Sequence, residues 1–173
     1  MMEQTGLIHL YCGDGKGKTS AALGVLLRAS GAGLRVTLAR FLKDGRSAEL
    51  AAISRLENVR VLPAPDALKF LWEMTPEEKD ACARESLALF HSAIADPGDV
   101  LILDELCDAV QGGLIPEDEV LTFLDGRPSG LEVVITGHSP SPAMQERADY
   151  FSQILCRRHP YARGMAARRG IEY

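Results

Sequence analysis

The residues Gly13-Asp14-Gly15-Lys16-Gly17-Lys18-Thr19-Ser20 place three glycines, two lysines and two hydroxyls in eight consecutive positions. Alternating glycines let backbone N–H groups turn inward on phosphate oxygens. A helix starting just beyond them adds the positive end of its dipole. Lys18 supplies a mobile cation, and Thr19 a hydroxyl of the kind that meets a Mg2+ bridging two phosphates. The stretch reads as a P-loop, with Gly13, Asp14, Gly15, Lys16, Gly17, Lys18, Thr19 and Ser20 as the phosphate-binding candidates. It is a variant of that motif. The standard pattern begins with a glycine at the position held here by Cys12, and Gly13 comes one residue late.

A second cluster of chemistry lies in Val100-Leu101-Ile102-Leu103-Asp104-Glu105-Leu106, an apolar run that ends in two carboxylates. A strand buried on both faces would carry these acids to its carboxyl end. Beside a P-loop this is the Walker B arrangement, in which an acid holds Mg2+ directly or through water. Thr19, Asp104 and Glu105 are therefore the metal candidates, and the spacing leaves open which acid touches the ion. Two further residues follow apolar runs. Lys43, after Leu34–Ala39, reads as a phosphate contact or a solvated loop lysine. His138, after Leu131-Glu132-Val133-Val134-Ile135-Thr136-Gly137, reads as a phosphate or substrate contact or a plain loop histidine.

The elements that must position these groups alternate along the chain. Leu7–Cys12 suits a buried strand, Ala21–Arg28 a packed helix, Leu34–Ala39 a strand, Ala48–Leu56 a short helix and Val59–Leu62 a short strand. The segment from Pro63 to Met74, including Pro65, Asp66, Ala67 and Leu68, reads as a long loop whose Phe70 and Trp72 either cover a ligand or plug the core. Thr75-Pro76-Glu77-Glu78 is a helix start with an N-cap, a proline at the first helical position and a capping box. Ala83, Leu87, Phe90 and Ile94 give that helix a buried face as far as about Ala95, and His91 beside them reads as structural. Pro116–Leu124 and Ser141–Arg147 are helix candidates, and Tyr150–Cys156 a last strand. This alternation predicts an α/β fold with a mostly parallel sheet flanked by helices, and with the P-loop the expected class is P-loop NTPase-like (RecA-like). In such sheets ligands bind at the carboxyl edge of the strands.

With 173 residues and a net charge of −5, one domain over residues 1–173 is the expectation, and a general nucleic-acid surface is not. The arginines 157, 158, 163, 168 and 169 form a local basic cluster, either a solvated tail or a contact for an anion. Four scattered cysteines suggest free thiols in a reducing compartment. No apolar run approaches the length of a membrane span, and the chain is expected to be cytoplasmic.

Taken together, these residues resemble the P-loop type of cob(I)alamin, or corrinoid, adenosyltransferase. The likeness rests on Gly13–Thr19, Arg28-Ala29-Ser30-Gly31, Phe41-Leu42-Lys43, Phe70-Leu71-Trp72, Leu103–Leu106, Ile135-Thr136-Gly137, Ala148-Asp149, the tail Arg158–Gly164 and its end Gly170-Ile171-Glu172-Tyr173. The late first glycine is itself a feature of that family. The resemblance implies transfer of the 5'-deoxyadenosyl group of ATP to the Co(I) of a reduced corrinoid, cobalamin or a cobinamide type, with release of triphosphate. Mg2+ or Mn2+ would be the cofactor, an electron-donating flavoprotein a partner, and a homodimer the assembly. It implies Lys18, Phe70, Trp72 and Glu105 as catalytic residues, with the aromatic pair displacing the corrinoid's lower axial ligand. Arg28, Lys43 and His138 would join the nucleotide contacts. The chain departs from the family pattern at Asp14, where asparagine is usual, at His138, where arginine is common, at Gln153, where an acid is usual, and at Arg163, which replaces an acid. Two other readings use the same motifs: a small-molecule kinase or NTPase, and a non-catalytic protein that binds ATP or a corrinoid.

Overall fold

The computed structural model describes residues 5–45, 47–64 and 69–172. Pro65, Asp66, Ala67 and Leu68 of the proline loop and Tyr173 of the tail lie outside them. Six strands, β1 (Ile8–Cys12), β2 (Val36–Arg40), β3 (Val59–Val61), β4 (Val100–Asp104), β5 (Glu132–Thr136) and β6 (Tyr150–Gln153), form one sheet in the order β3-β2-β4-β5-β1-β6. Every pairing is parallel, so the sheet is wholly rather than mostly parallel. The P-loop strand β1 and the acidic strand β4 are separated by β5, a P-loop NTPase-like arrangement.

The central strands are buried on both faces, and their side-chain alternation sorts two cores. Val36, Leu38, Val100, Ile102 and Val134 pack against Ala22, Leu26 and Ala29 of α1 (Lys18–Gly31) and Ile53 of α2 (Leu50–Ile53). On the other face Leu101, Leu103, Val133 and Ile135 meet α3 (Pro76–Ala95), α4 (Leu106–Gln111), α5 (Glu117–Gly126) and Met144 of α6 (Pro142–Glu146). Phe90 of α3 is fully buried here, and such burial contributes about 2–3 kcal/mol.

Several boundaries differ from the sequence expectation. The helix expected over Ala48–Leu56 is a single turn, and β6 ends at Gln153, three residues early. There the chain turns so that the Ile154 carbonyl accepts from the Gly15 N–H at 2.9 Å. The buried line of α3 is Cys82, Ser86, Phe90 and Ala93. Ala83, Leu87 and Ile94 sit at its rim, because the helix is rolled by about one residue from the apolar stripe. His91 hydrogen-bonds Glu119 of α5 at 2.6 Å on the surface, as befits a structural histidine. All four cysteines are free.

The start of α3 is built as its sequence specifies. Thr75 Oγ1 accepts from the Glu78 N–H at 3.3 Å, and Glu78 Oε2 accepts from the Thr75 N–H at 2.9 Å. Removing this cap with Thr75→Ala is expected to lower unfolding stability by about 1 kcal/mol, read in a urea melt. A change below about 0.3 kcal/mol would mean that the neighbouring Lys69–Glu78 contact, not the cap, holds the helix start.

Candidate functional site

Because all strands run the same way, the segments after β1, β2, β4, β5 and β6 emerge at one edge. Gly13 has φ +108° and lies so close to the backbone that an added Cβ would sit 2.3 Å from the Ile154 carbonyl oxygen. Its N–H donates to the His138 carbonyl at 3.0 Å, tying the loop to the end of β5. This position, rather than Cys12, is where the chain must turn, which explains the late first glycine. Lys18 Nζ lies back across the loop and donates to the carbonyls of Gly13 at 2.7 Å and Gly15 at 3.1 Å.

Thr19, in the first turn of α1, points at the end of β4. Its hydroxyl donates to Asp104 Oδ1 at 3.0 Å. Asp104 is 1 % exposed and also accepts from the Thr136 hydroxyl at 2.7 Å and from Lys43 Nζ at 2.7 Å, so its buried charge is fully engaged. Lys43 Nζ additionally reaches Thr19 Oγ1 at 2.7 Å and Glu105 Oε1 at 3.2 Å. Burial works against the Lys43 charge, but Asp104 and Glu105 outweigh it and hold the ammonium above its ordinary range. Burial pushes the Glu105 carboxyl up, with Lys43 opposing and Asp104 adding to the rise. Glu105 itself is left-handed, φ 61°, a conformation that costs a non-glycine residue on the order of 1 kcal/mol. Its N–H donation to Thr136 Oγ1 at 2.8 Å holds it there and turns the carboxylate off the strand.

The P-loop, Lys43, Glu105 and His138 line one crevice of about 1270 Å3. That exceeds the roughly 300–1,000 Å3 typical of a small-molecule pocket and leaves room for more than a nucleotide. Phe70 and Trp72 also line it. Their rings stack with centroids 4.5 Å apart and planes 7° off parallel, and they are 62 % and 77 % exposed. They do not plug the core. Leu71 between them does so, packing against the core and onto Gly112 at the end of α4.

Asp14 lines the crevice, but its carboxylate accepts from the Cys156 N–H at 3.0 Å, a bond that holds it below the usual carboxylate range. Lys16 is paired with Glu172 of the tail at 2.9 Å, and Glu172 is held low by Arg168, Lys16 and the Arg168 N–H. Of the basic cluster, Arg168 thus serves an intrachain contact. Arg28 is not brought to the crevice. It sits on the surface in the last turn of α1, ten residues beyond Lys18 and about 15 Å along the axis, because helix geometry carries it away from the loop. The contacts that sequence reasoning missed are Glu172 and Asp108. Asp108 follows Glu105 by three residues in the helical run, the spacing that puts two side chains on one face. Cys107 beside it is an inert thiol, pushed up to about 12 by burial.

The fold and this edge define a P-loop nucleotide-binding protein. A solved structure, the cytoplasmic domain of EssC, shares the fold, with a TM-score of 0.53 at 18 % identity over 95 % of this chain and 37 % of that one. The chain belongs to the ATP:corrinoid adenosyltransferase BtuR/CobO/CobP family, whose model matches residues 4–173. It is 33 % identical to the corrinoid adenosyltransferase CobA of Salmonella typhimurium, with 99 % of this chain and 87 % of that protein aligned. It is 31 % identical to the Pseudomonas aeruginosa corrinoid adenosyltransferase, over 99 % of this chain and 85 % of the relative.

Proposed function

We propose that this protein, as one domain over residues 1–173, transfers the 5'-deoxyadenosyl group of ATP to the Co(I) of a corrinoid. The cobalt gives its electron pair to the ribose C5' carbon, the C5'–O bond breaks, and triphosphate leaves with that bond's pair. The observation that carries this reading is the presence, in the lining of one large crevice, of both a P-loop and an exposed stacked aromatic pair. A phosphoryl-transfer enzyme needs the first and has no evident use for the second.

The P-loop N–H groups and Lys18 would stabilise the charge that grows on the leaving triphosphate. Lys43 and His138 would add contacts from the ends of β2 and β5. Phe70 and Trp72 would offer the apolar surface that displaces the lower axial ligand of cobalt, leaving a corrinoid that is easier to reduce. Holding cobalt and C5' in line is the remaining task of the crevice walls.

Thr19, Asp104 and Glu105 would hold Mg2+ or Mn2+, which when bound neutralises triphosphate charge. Among the described residues no cluster of three or more His, Cys, Asp and Glu side chains provides a metal centre. The fit rests on one hydroxyl and two carboxylates, hard oxygen donors suited to Mg2+. The Lys43 ammonium among all three marks a place where a cation is stabilised. Lys43→Met is accordingly expected to tighten nucleotide-free Mn2+ binding roughly tenfold, by removing a competing charge. Weaker Mn2+ binding, measured by electron paramagnetic resonance, would reverse that assignment.

A homodimer, a flavoprotein electron donor and a cytoplasmic setting complete the proposal. The exposed aromatic edge of β6, with Tyr150 and Phe151 about half exposed, supports self-association. No described helix is long and apolar enough to cross a membrane. The deciding experiment is anaerobic: the protein is mixed with Mg2+, ATP and chemically reduced cobalamin while Co(I) absorbance and triphosphate are followed. Matched loss of Co(I) and release of triphosphate is expected. Phosphate release without a Co(I) change would indicate an NTPase or kinase instead, and binding without either signal a non-catalytic protein.

A further inference from the structure

His138 is held at three points. Its carbonyl accepts from Gly13 of the P-loop at 3.0 Å, its N–H donates to Asp108 Oδ2 at 3.1 Å, and its ring Nδ1 lies 2.9 Å from Asp108 Oδ1. Gly137 makes this approach possible. At φ +156° it passes so near α4 that a Cβ would fall 2.4 Å from the Cys107 Cβ and 2.9 Å from Asp108 Oδ2. The Asp108 carboxylate is mostly covered, whereas the His138 ring is more than half exposed and lines the crevice beside the P-loop. An acceptor-only carboxylate on Nδ1 requires that nitrogen to carry the proton. The other nitrogen, Nε2, then has a lone pair when the ring is neutral and an N–H when it is charged.

We propose that Asp108 is a positioning residue which makes His138 a pH-gated triphosphate contact, repelling the anion when neutral and donating a charge-assisted hydrogen bond to it when protonated. This rests on the P-loop being the triphosphate site. Asp108 from α4 contacts the ring and Asp14 from the P-loop acts on it through its charge, while Cys107 lies against the neighbouring Gly137 and Lys18 acts on Asp14. Cys107 stays neutral and Asp14 stays ionised through the range in which histidine titrates.

Asparagine at position 108 makes a sharp test. Its oxygen would stay with the His138 N–H, and its amide nitrogen would face Nδ1 and donate to it. The proton of the neutral ring would move to Nε2, giving a donor to triphosphate at every pH. Binding of inorganic triphosphate to the full chain in saturating Mg2+ can be followed by calorimetry from about pH 5.5 to about pH 8.5, either side of the histidine range. Ionisation of triphosphate itself is common to all variants and cancels in the comparison. Relative to His138→Gln, the unmodified chain is expected to lose about tenfold in affinity across that range, the worth of one charge-assisted hydrogen bond. Asp108→Asn should hold its affinity at the alkaline end. A pH profile shared by the unmodified chain and His138→Gln, or an Asp108→Asn profile as steep as the unmodified one, would overturn the proposal. If the expected profiles appear but no adenosyl group is transferred to Co(I), the reaction assigned above falls and the Asp108–His138 device stands. If transfer occurs with flat profiles, the device alone falls.

Discussion

Lys18→Ala is expected to lower the rate of triphosphate release by about two to three orders of magnitude, the cost of losing a donor aimed at charge that develops in the transition state. Among the described residues, Lys18 Nζ hydrogen-bonds the carbonyls of Gly13 and Gly15, both in the loop that would receive the phosphates. Its removal should therefore leave the melting temperature within a few degrees of the unmodified chain. Activity loss without unfolding is the signature to look for, in anaerobic assays of Co(I) absorbance and triphosphate at saturating ATP. A variant within about tenfold of normal would show that the leaving group is neutralised elsewhere, with Lys43 the obvious alternative.

The second large effect concerns the aromatic pair in the crevice lining. Trp72→Ala is expected to reduce transfer at least tenfold while changing ATP affinity less than about twofold, since the ring lines the crevice outside the phosphate-binding loop. The ring is 77 % exposed and stacks on Phe70, so its loss should cost little stability. The direct readout is the electronic spectrum of a Co(II) corrinoid added to protein and ATP, in which the four-coordinate species should diminish. A parallel loss of ATP binding would contradict the division between a phosphate wall and a corrinoid wall. Undiminished four-coordinate corrinoid would remove Trp72 from that task.

The stacked pair also illustrates what could be read in advance. Pro63–Met74 stood out as a loop rich in large apolar groups, yet composition does not say which of Phe70, Leu71 and Trp72 turns inward. The turn of 3-10 helix at Leu71–Glu73 settles it by directing Leu71 at Gly112. Conversely, the sequence around Lys43 fits a solvated loop lysine as well as a phosphate or substrate contact, and the structure bonds it to the buried Asp104 carboxylate. Arg28, expected at the nucleotide from family likeness, lies at the far end of α1.

What the sequence determined by itself was local: the P-loop with its late glycine, the apolar strand ending in Asp104-Glu105, the Thr75 cap and the alternation that yields a parallel sheet. Each follows from requirements met within a few residues, such as a glycine where φ is positive, a continuous apolar run for a strand covered on both faces, or a hydroxyl at a helix start. The tertiary structure decided everything that depends on strand order. Placing β2 next to β4 brings Lys43 onto Asp104, setting β5 between β1 and β4 lets the Thr136 hydroxyl accept from the Glu105 N–H and donate to the Asp104 carboxylate, and seating the end of β5 on α4 joins His138 to Asp108. These contacts span roughly 30 to 60 residues of chain, and no local period encodes which strands become neighbours. That ordering is set by how two apolar faces of one sheet are covered at once.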